Sequence, residues 1–225
     1  MIDIDAWCKG FLNALDGTFG GRVWFVGLQG SYGRGEATDA SDIDMVVVLE
    51  RLAPADVATY RAMLDGLAHR ELICGFLAGR EELSHWDAAD LFQFCHDTTP
   101  LLGSLESVAA RIDRAAVARA AKRGACDVYH ACVHNMLHKR KPETLRGLYK
   151  AATFVVRARA WLGSGRFCRR LGELRGQTTG ADAEIVAACE AMARDGVSDF
   201  DKAAAGLFLW AQATITGVGK GPGAC

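Results

Sequence analysis

The sequence predicts an α+β protein in which a β-sheet domain is followed by an all-α helical bundle. Runs rich in β-branched and aromatic residues occur before residue 100, and helical periodicity dominates from residue 107 onward. The charge also changes sign between the two halves. We therefore expect domains at residues 1–105 and 106–218 and a flexible tail at 219–225, whose glycine-rich composition is typical of a frayed end.

Strands alternate with helices in the first half. The strand at 42–50 is apolar on both faces after its first three residues, so we expect it at the centre of the sheet. The predicted elements are, in order, a helix at 3–15, strands at 22–29 and 42–50, a helix from Pro54 to about His69, a strand at 71–79, a helix or turn-rich connection at 81–92, and a strand at 91–98.

The second half has helical periodicity throughout. Each apolar pattern ends near a glycine, a proline or a charge cluster, as helices do. The predicted helices are 107–123, 125–139, 143–163, 181–194 and 199–215. Helices of these lengths predict a bundle of four or five members.

The two halves carry opposite charge. Residues 1–105 contain 7 Lys and Arg and 16 Asp and Glu, which gives a net charge of −9. Residues 106–225 contain 19 Lys and Arg and 11 Asp and Glu, which gives a net charge of +8. The acidic half is suited to metal cations and the basic half to phosphates. A second explanation of the opposite charges, compatible with the first, is that the two halves attract each other.

Cysteine usage and hydropathy indicate a cytoplasmic protein without a membrane partner. The eight cysteines are scattered, with no CxxC pair, which is typical of reduced thiols packed as small apolar residues. No apolar run is long enough to span a bilayer, and the N-terminal residues lack a signal pattern.

One short stretch between the first two strands combines a glycine-rich turn, an arginine and two carboxylates. Residues i and i+2 of a strand point to the same side, so Asp42 and Asp44 present carboxylates roughly 7 Å apart. Mg²⁺ prefers one or two protein carboxylates, with phosphate oxygens completing its shell. Gly30 lets a phosphate approach backbone N–H groups, and Ser31 and Arg34 supply further donors. The stretch therefore predicts a phosphate site facing a metal site.

These residues carry a family resemblance. Gly30-Ser31, Arg34-Gly35-Glu36-Ala37 and Ser41-Asp42-Ile43-Asp44 resemble the signature of the DNA polymerase β-type nucleotidyltransferase superfamily. Small bacterial members, including aminoglycoside and lincosamide nucleotidyltransferases, are the most similar. The resemblance implies a small mixed β-sheet domain followed by a helical bundle that closes over the nucleotide.

The resemblance also implies roles for single residues. Gly30, Ser31 and Arg34 would bind the nucleotide, with Ser31 on the triphosphate. Asp42 and Asp44 would be catalytic and would hold two Mg²⁺ ions.

The family pattern has a third acid on a neighbouring strand, and here the match is incomplete. Glu71, at the start of the predicted strand 71–79, is the carboxylate available there, because the strand interior is Cys74, Gly75 and Phe76. We expect Glu71 to act as metal ligand or general base, or else to be an ordinary exposed residue. Asp97 is the second candidate.

The helical half contains three further candidate features. Lys150 is a candidate phosphate ligand, because similar enzymes place a lysine from the helical domain there; a solvated helix face is the alternative. His130, His134 and His138 recur every fourth residue and read as a histidine face rather than a zinc site. Arg123 and His130 resemble the loose Arg-x₆-His motif of HEPN-type ribonucleases; alternatively, Arg123 caps a helix C-terminus.

We therefore predict an enzyme, a nucleotidyltransferase that moves an NMP, preferably AMP, from Mg–NTP to a hydroxyl group of a small, antibiotic-like acceptor and releases pyrophosphate. Because the chain has no overall basic excess, nucleic acid is not the favoured partner, although tRNA stays open as an acceptor. A homodimer also stays open. The alternatives are a nucleotide-binding antitoxin or regulator with weak turnover, and a HEPN-like ribonuclease in the helical half.

Overall fold

The structure, a computed structural model, describes residues 2–39 and 41–217, so the predicted tail at 219–225 lies outside it. The chain divides into two compact units, the first ending at Ile112 and the second beginning at Asp113. No helix in the described part of the chain is long and apolar enough to cross a membrane.

The first unit alternates short helices with strands. Its elements are α1 (Ile4–Phe19), β1 (Val23–Leu28), α2 (Gly30–Arg34), β2 (Ile43–Leu49), α3 (Pro54–Asp65), β3 (Ile73–Gly79), α4 (Arg80–His85), α5 (Ala88–Asp97), β4 (Thr99–Leu102) and α6 (Glu106–Ala109), with 3₁₀ turns at Gly20–Arg22 and Arg70–Leu72. Helix α3 ends at Asp65, earlier than predicted, and His69, the predicted end, has a φ of +61°, outside the helical region.

The strands of the described residues form one mixed sheet in the order β3-β2-β1-β4. Strand β1 pairs antiparallel with β2 and β4, and β2 pairs parallel with β3. Parallel neighbours need a crossover connection, which α3 supplies. The small mixed sheet followed by helices confirms the predicted fold class.

Strand β2 buries both of its faces, as its sequence predicts. Met45 and Val47 belong to a core cluster with residues of α1 and α3. Val46 and Val48 belong to a second cluster with residues of α4, α5 and α6. Each such side chain stabilises the fold by about 1.5–3 kcal/mol when buried. This packing fixes β2, and with it the acidic residues at its beginning.

The predicted strand at 91–98 is wrong, because residues 91–97 lie in α5. The Asp87 carboxylate accepts a hydrogen bond from the Ala89 N–H at 2.7 Å and so caps the helix. The strand comes later, as β4 at the edge of the sheet, where Pro100 pairs with Gly27. An edge strand tolerates proline, which has no N–H to donate.

The second unit is helical. Its elements are α7 (Arg114–His134), a π-helical turn at Asn135–Lys139, α8 (Pro142–Ser164), α9 (Leu171–Gly176), α10 (Gly180–Asp195) and α11 (Phe200–Thr216). The Asp113 carboxylate caps α7 by accepting a hydrogen bond from the Ala116 N–H at 2.6 Å. The sequence placed the domain division at residue 106, but α6 packs with the first unit because Val108 is buried beside the sheet.

The predicted helix break between residues 123 and 125 is also wrong. Gly124 lies inside α7, where a Cβ atom would come within 2.7 Å of Val155 Cγ2 on α8. The glycine therefore serves a close approach of two helices rather than a turn. No local pattern distinguishes these two uses of glycine, since the close partner is 31 residues away in the sequence.

A buried asparagine forms the corner between α7 and α8. The side chain of Asn135 donates to the Lys141 carbonyl oxygen at 3.1 Å and accepts from the Lys141 N–H at 3.0 Å. Both halves of the amide are thereby satisfied, as burial requires. The corner fixes the beginning of α8, the helix that carries Lys150.

The described cysteines are free thiols. Burial raises the pKa of Cys8 and of Cys95 to about 11, so neither is a reactive thiolate near neutral pH. Cys74 and Cys126 are the exposed ones within the described residues.

An ion pair at the beginning of β1 leads to a prediction about acid stability. Arg22 donates to both Asp56 oxygens at 2.9 and 2.6 Å, and the Ala53 N–H donates to one of them at 2.8 Å. These hydrogen bonds, that from Arg22 foremost, hold the Asp56 pKa below its ordinary value of about 3.9. A lowered folded-state pKa stabilises the protein above the unfolded-state pKa, and this contribution is lost as the pH falls below about 4.

We therefore expect the urea midpoint of wild type to exceed that of Asp56→Asn at pH 7, and the difference to shrink towards pH 3. Urea unfolding of both proteins at several pH values measures this. A difference that stays constant with pH would contradict the assigned role of the Asp56 charge.

Candidate active site

The glycine-rich stretch forms a tight turn directly after β1. Gly30 has a φ of +66°, and Gly35 ends α2 in the left-handed conformation with a φ of +70°. The Glu36 N–H donates to the Ser31 carbonyl oxygen at 2.8 Å and closes the turn. Two positive φ values explain why glycine stands at both ends. Ser31 is half-buried within this turn.

The turn is joined to the acidic residues by the sheet. Asp42 is exposed immediately before β2, and Asp44, half-buried, is the second residue of the strand. The Gln29 N–H donates to the Asp44 carbonyl oxygen at 2.8 Å, which extends the pairing of β1 with β2 into the turn. The structure thus brings Gly30 and the Asp44 side chain together.

Gly30 has a second reason to be glycine. A Cβ atom at this position would overlap the Asp44 carboxylate. From the sequence we attributed Gly30 to the approach of a phosphate, but the side chain that occupies the place of a Cβ is Asp44. Only the register between β1 and β2 reveals this contact.

The residue of β3 that lies beside Asp44 is a cysteine rather than an aspartate or glutamate. The parallel register pairs Asp44 with Cys74 and Met45 with Gly75. Paired residues of neighbouring strands point to the same face of a sheet, so Cys74, which is exposed, shares the face of Asp44. Gly75 is restricted to glycine, since its φ is +140° and a Cβ would overlap the Met45 carbonyl oxygen.

Neither third-acid candidate forms a metal-binding group with the aspartates. Glu71 is exposed in the 3₁₀ turn that precedes β3. Among the described residues, no three or more His, Cys, Asp or Glu side chains are arranged to hold a metal ion. The roles of Glu71, Asp42 and Asp44 in catalysis stay predictions.

Arg34 and Asp97 form an ion pair. Arg34 Nη1 lies 2.6 Å from Asp97 Oδ2, and Arg34 Nε lies 3.1 Å from Glu36 Oε2. The side chains of Arg34 and Asp97 are only 9% and 10% exposed. The sequence assigned Arg34 to the nucleotide and made Asp97 the second candidate for the third acid, and it contained no signal that the two residues meet.

The candidates of the helical unit lie on exposed helix surfaces. Lys150 is exposed on α8, and its contact with phosphate stays a prediction. Arg123 and His130 are exposed on the single helix α7, seven residues apart and hence on one face. His134 and His138 are exposed as well, with their ring centroids 4.8 Å apart.

A comparison with protein families agrees with this site. Residues 8–84 match the family model described as "Nucleotidyltransferase domain". The matched stretch contains the glycine turn, Asp42 and Asp44. The match supports the predicted class of enzyme, a nucleotidyltransferase.

The whole fold resembles that of a solved antibiotic-modifying enzyme. Spectinomycin adenyltransferase AAD(9) from Enterococcus faecialis, solved with ATP and spectinomycin, matches with a TM-score of 0.58 over 94% of this chain and 98% of that chain. The sequence identity is 10%, so the likeness is one of fold. No curated protein matches the sequence.

Proposed function

We propose that this protein transfers an NMP group, AMP by preference, from Mg–NTP to a hydroxyl group of a small, antibiotic-like acceptor. The observation that carries the proposal is the contact between the glycine turn, our candidate phosphate site, and Asp44, one of the two carboxylates at the start of β2. The family match over the same residues supports it.

The donor set fits Mg²⁺. One or two carboxylates are the protein ligands that this ion typically takes when the substrate phosphates supply the rest of the shell, and the start of β2 offers two. Asp42 and Asp44 would hold the ions, two by analogy with the family. Bound Mg²⁺ would neutralise phosphate charge and lower the pKa of the attacking hydroxyl. The backbone of the glycine turn and the Ser31 hydroxyl would orient the triphosphate.

In the proposed reaction the acceptor oxygen attacks the α-phosphorus in line. A bond forms between that oxygen and the phosphorus, the bond from the α-phosphorus to the bridging oxygen breaks, and pyrophosphate leaves with the electron pair. The hydroxyl proton goes to a general base, for which Glu71 is our candidate.

The acceptor class rests on the similar solved structure, which was determined with ATP and spectinomycin. We propose a small acceptor with several hydroxyl groups, while tRNA and a homodimeric assembly stay open. Incubation of the purified protein with Mg–ATP, Mg–GTP and a panel of aminocyclitol, aminoglycoside and lincosamide compounds tests the proposal. Pyrophosphate release together with an acceptor mass increased by one NMP would support it. Release without any acceptor product would contradict it.

A regulator that binds nucleotide with weak turnover is the second candidate. The observation that favours it is Cys74, because this position beside Asp44 offers no carboxylate to accept the hydroxyl proton.

Restoring a carboxylate at this position gives a prediction. We expect Cys74→Asp to raise the rate of NMP transfer by about 10²-fold, the lower range for a positioned general base. Cys74→Asn, similar in shape but not basic, serves as the control, and pyrophosphate release measures both. An equal gain in both variants, or none, would show that the proton has another acceptor, such as Glu71.

A further inference from the structure

The end of α5 and the beginning of β4, residues 94–99, hold the glycine turn in place. Gln29 Nε2 donates to Thr98 Oγ1 at 2.6 Å and to the Phe94 carbonyl oxygen at 3.1 Å. Thr99 Oγ1 donates to the Gly33 carbonyl oxygen at 3.2 Å. The segment 94–99, which we call the clamp, therefore bonds to residues on both sides of Ser31.

The clamp also packs tightly against β1, the strand that leads into the turn. A Cβ atom at Gly27, three residues before Gly30, would overlap Thr98 Cγ2. Gly27 pairs with Pro100 of β4, so the close approach is built into the sheet. Strand β1 therefore lies close against the clamp shortly before the chain enters the turn.

The Arg34–Asp97 ion pair ties the far end of α2 to the clamp. Both side chains are about nine-tenths buried, and the charged atoms are 2.6 Å apart. At this burial the pairing stabilises both charges, because a buried charge without a partner is strongly unfavourable. Arg34 lies three residues after Ser31 in the same short helix. A shift of Arg34 therefore moves Ser31 and Gly30 relative to Asp44.

We propose that Arg34 and Asp97 are positioning residues that hold the glycine turn against Asp44 and thereby set the affinity for a nucleoside triphosphate. The inference rests on the proposed function of the turn. It gives Arg34 a role through Asp97 instead of direct contact with phosphate, and it gives Asp97 a role other than that of a third acid. Two donor groups of Arg34 already face protein carboxylates, which favours this assignment.

A double-mutant cycle tests the inference. Calorimetry measures Mg–ATP binding to wild type, Arg34→Gln, Asp97→Asn and the double variant. We expect each single change to raise the Kd by roughly 10–100-fold, the usual effect of removing a group that orients a ligating residue. The double variant should be no weaker than the weaker single variant, because both changes remove one interaction. Arg34→Lys should recover part of the affinity, since it keeps the charge.

A matched control separates positioning from loss of stability. Arg22→Gln removes the ion pair with Asp56 in the same unit, but Arg22 precedes β1 while the glycine turn follows this six-residue strand, roughly 20 Å away. We expect it to lower the urea midpoint and to leave the Kd unchanged.

A substitute variant is available if Asp97→Asn does not fold. Gln29→Met removes the side-chain N–H groups that bond to Phe94 and Thr98, and we expect it to weaken Mg–ATP binding in the same way.

The outcomes distinguish the inference from the proposed function. If wild type binds no Mg–ATP, both are overturned. If wild type binds and Asp97→Asn binds equally well or better while Arg34→Gln binds weakly, Arg34 contacts the phosphates directly and the inference alone fails. If Arg22→Gln weakens binding as much as Asp97→Asn does, the ion pair contributes stability only and the inference again fails.

Discussion

Replacing Asp42 and Asp44 together by asparagine is expected to abolish both Mg²⁺-dependent nucleotide binding and NMP transfer. Asparagine keeps the shape of the side chain but removes the charge that holds a divalent cation. Mg²⁺ contributes several kcal/mol of transition-state stabilisation in such reactions, so we expect activity to fall by roughly 10³-fold or more. Calorimetry with ATP and GTP, with and without Mg²⁺, measures the binding, and pyrophosphate release measures the activity.

The control for this prediction removes the same charge elsewhere. Asp5 and Asp16 are exposed on α1, and the double change to asparagine lowers the negative charge of the first unit equally. We expect this variant to bind Mg–NTP as wild type does. Wild-type binding that is indifferent to Mg²⁺, or that survives in the Asp42→Asn/Asp44→Asn variant, would exclude the carboxylate pair as the metal site.

The second large effect on nucleotide binding is expected from the substitution Gly30→Ala, which adds a single methyl group. The φ of +66° at residue 30 disfavours alanine by roughly 1–2 kcal/mol, and the new Cβ would in addition overlap the Asp44 carboxylate. The carboxylate must therefore move, and the proposed metal site moves with it. We expect nucleotide affinity to fall by at least about 10-fold, with a lowered free energy of unfolding. Calorimetry and urea unfolding measure the two effects separately.

Gly165→Ala separates backbone strain from displacement of Asp44. Gly165 ends α8 with a φ of +71°, close to that of Gly30, and a Cβ there would meet no atom within 4 Å. We expect a loss of stability of roughly 1–2 kcal/mol and unchanged nucleotide affinity. If Gly30→Ala lowers stability by no more than Gly165→Ala does and binds Mg–ATP normally, the contact between Gly30 and Asp44 has no part in the site.

The sequence predicted those features that depend on neighbours along the chain. Strands β1 and β2, the glycine turn between them and most helices of the second unit were recognised from composition, spacing and caps. The same local information located Asp42 and Asp44 and carried the family resemblance. Local patterns suffice because backbone conformation in a turn or a capped helix depends mainly on residues within one turn of each other.

The tertiary structure decided which distant residues meet. Residues 91–97 are helical, although their aromatic content suggested a strand, because α5 packs its apolar side against the sheet. Gly124 lies inside a helix because α8 approaches it closely. In both cases packing between elements overrides local propensity, which contributes less than 1 kcal/mol at most positions.

At the site, the sequence by itself determined the residue types that chemistry needs: a glycine turn, a hydroxyl and two carboxylates at strand spacing. The tertiary structure alone decided that Gly30 makes room for Asp44, that Cys74 stands beside Asp44, and that Asp97 pairs with Arg34. The physical reason is that strand register and helix packing join residues 14 to 63 positions apart, and these contacts are fixed by burial of the whole core rather than by any local pattern.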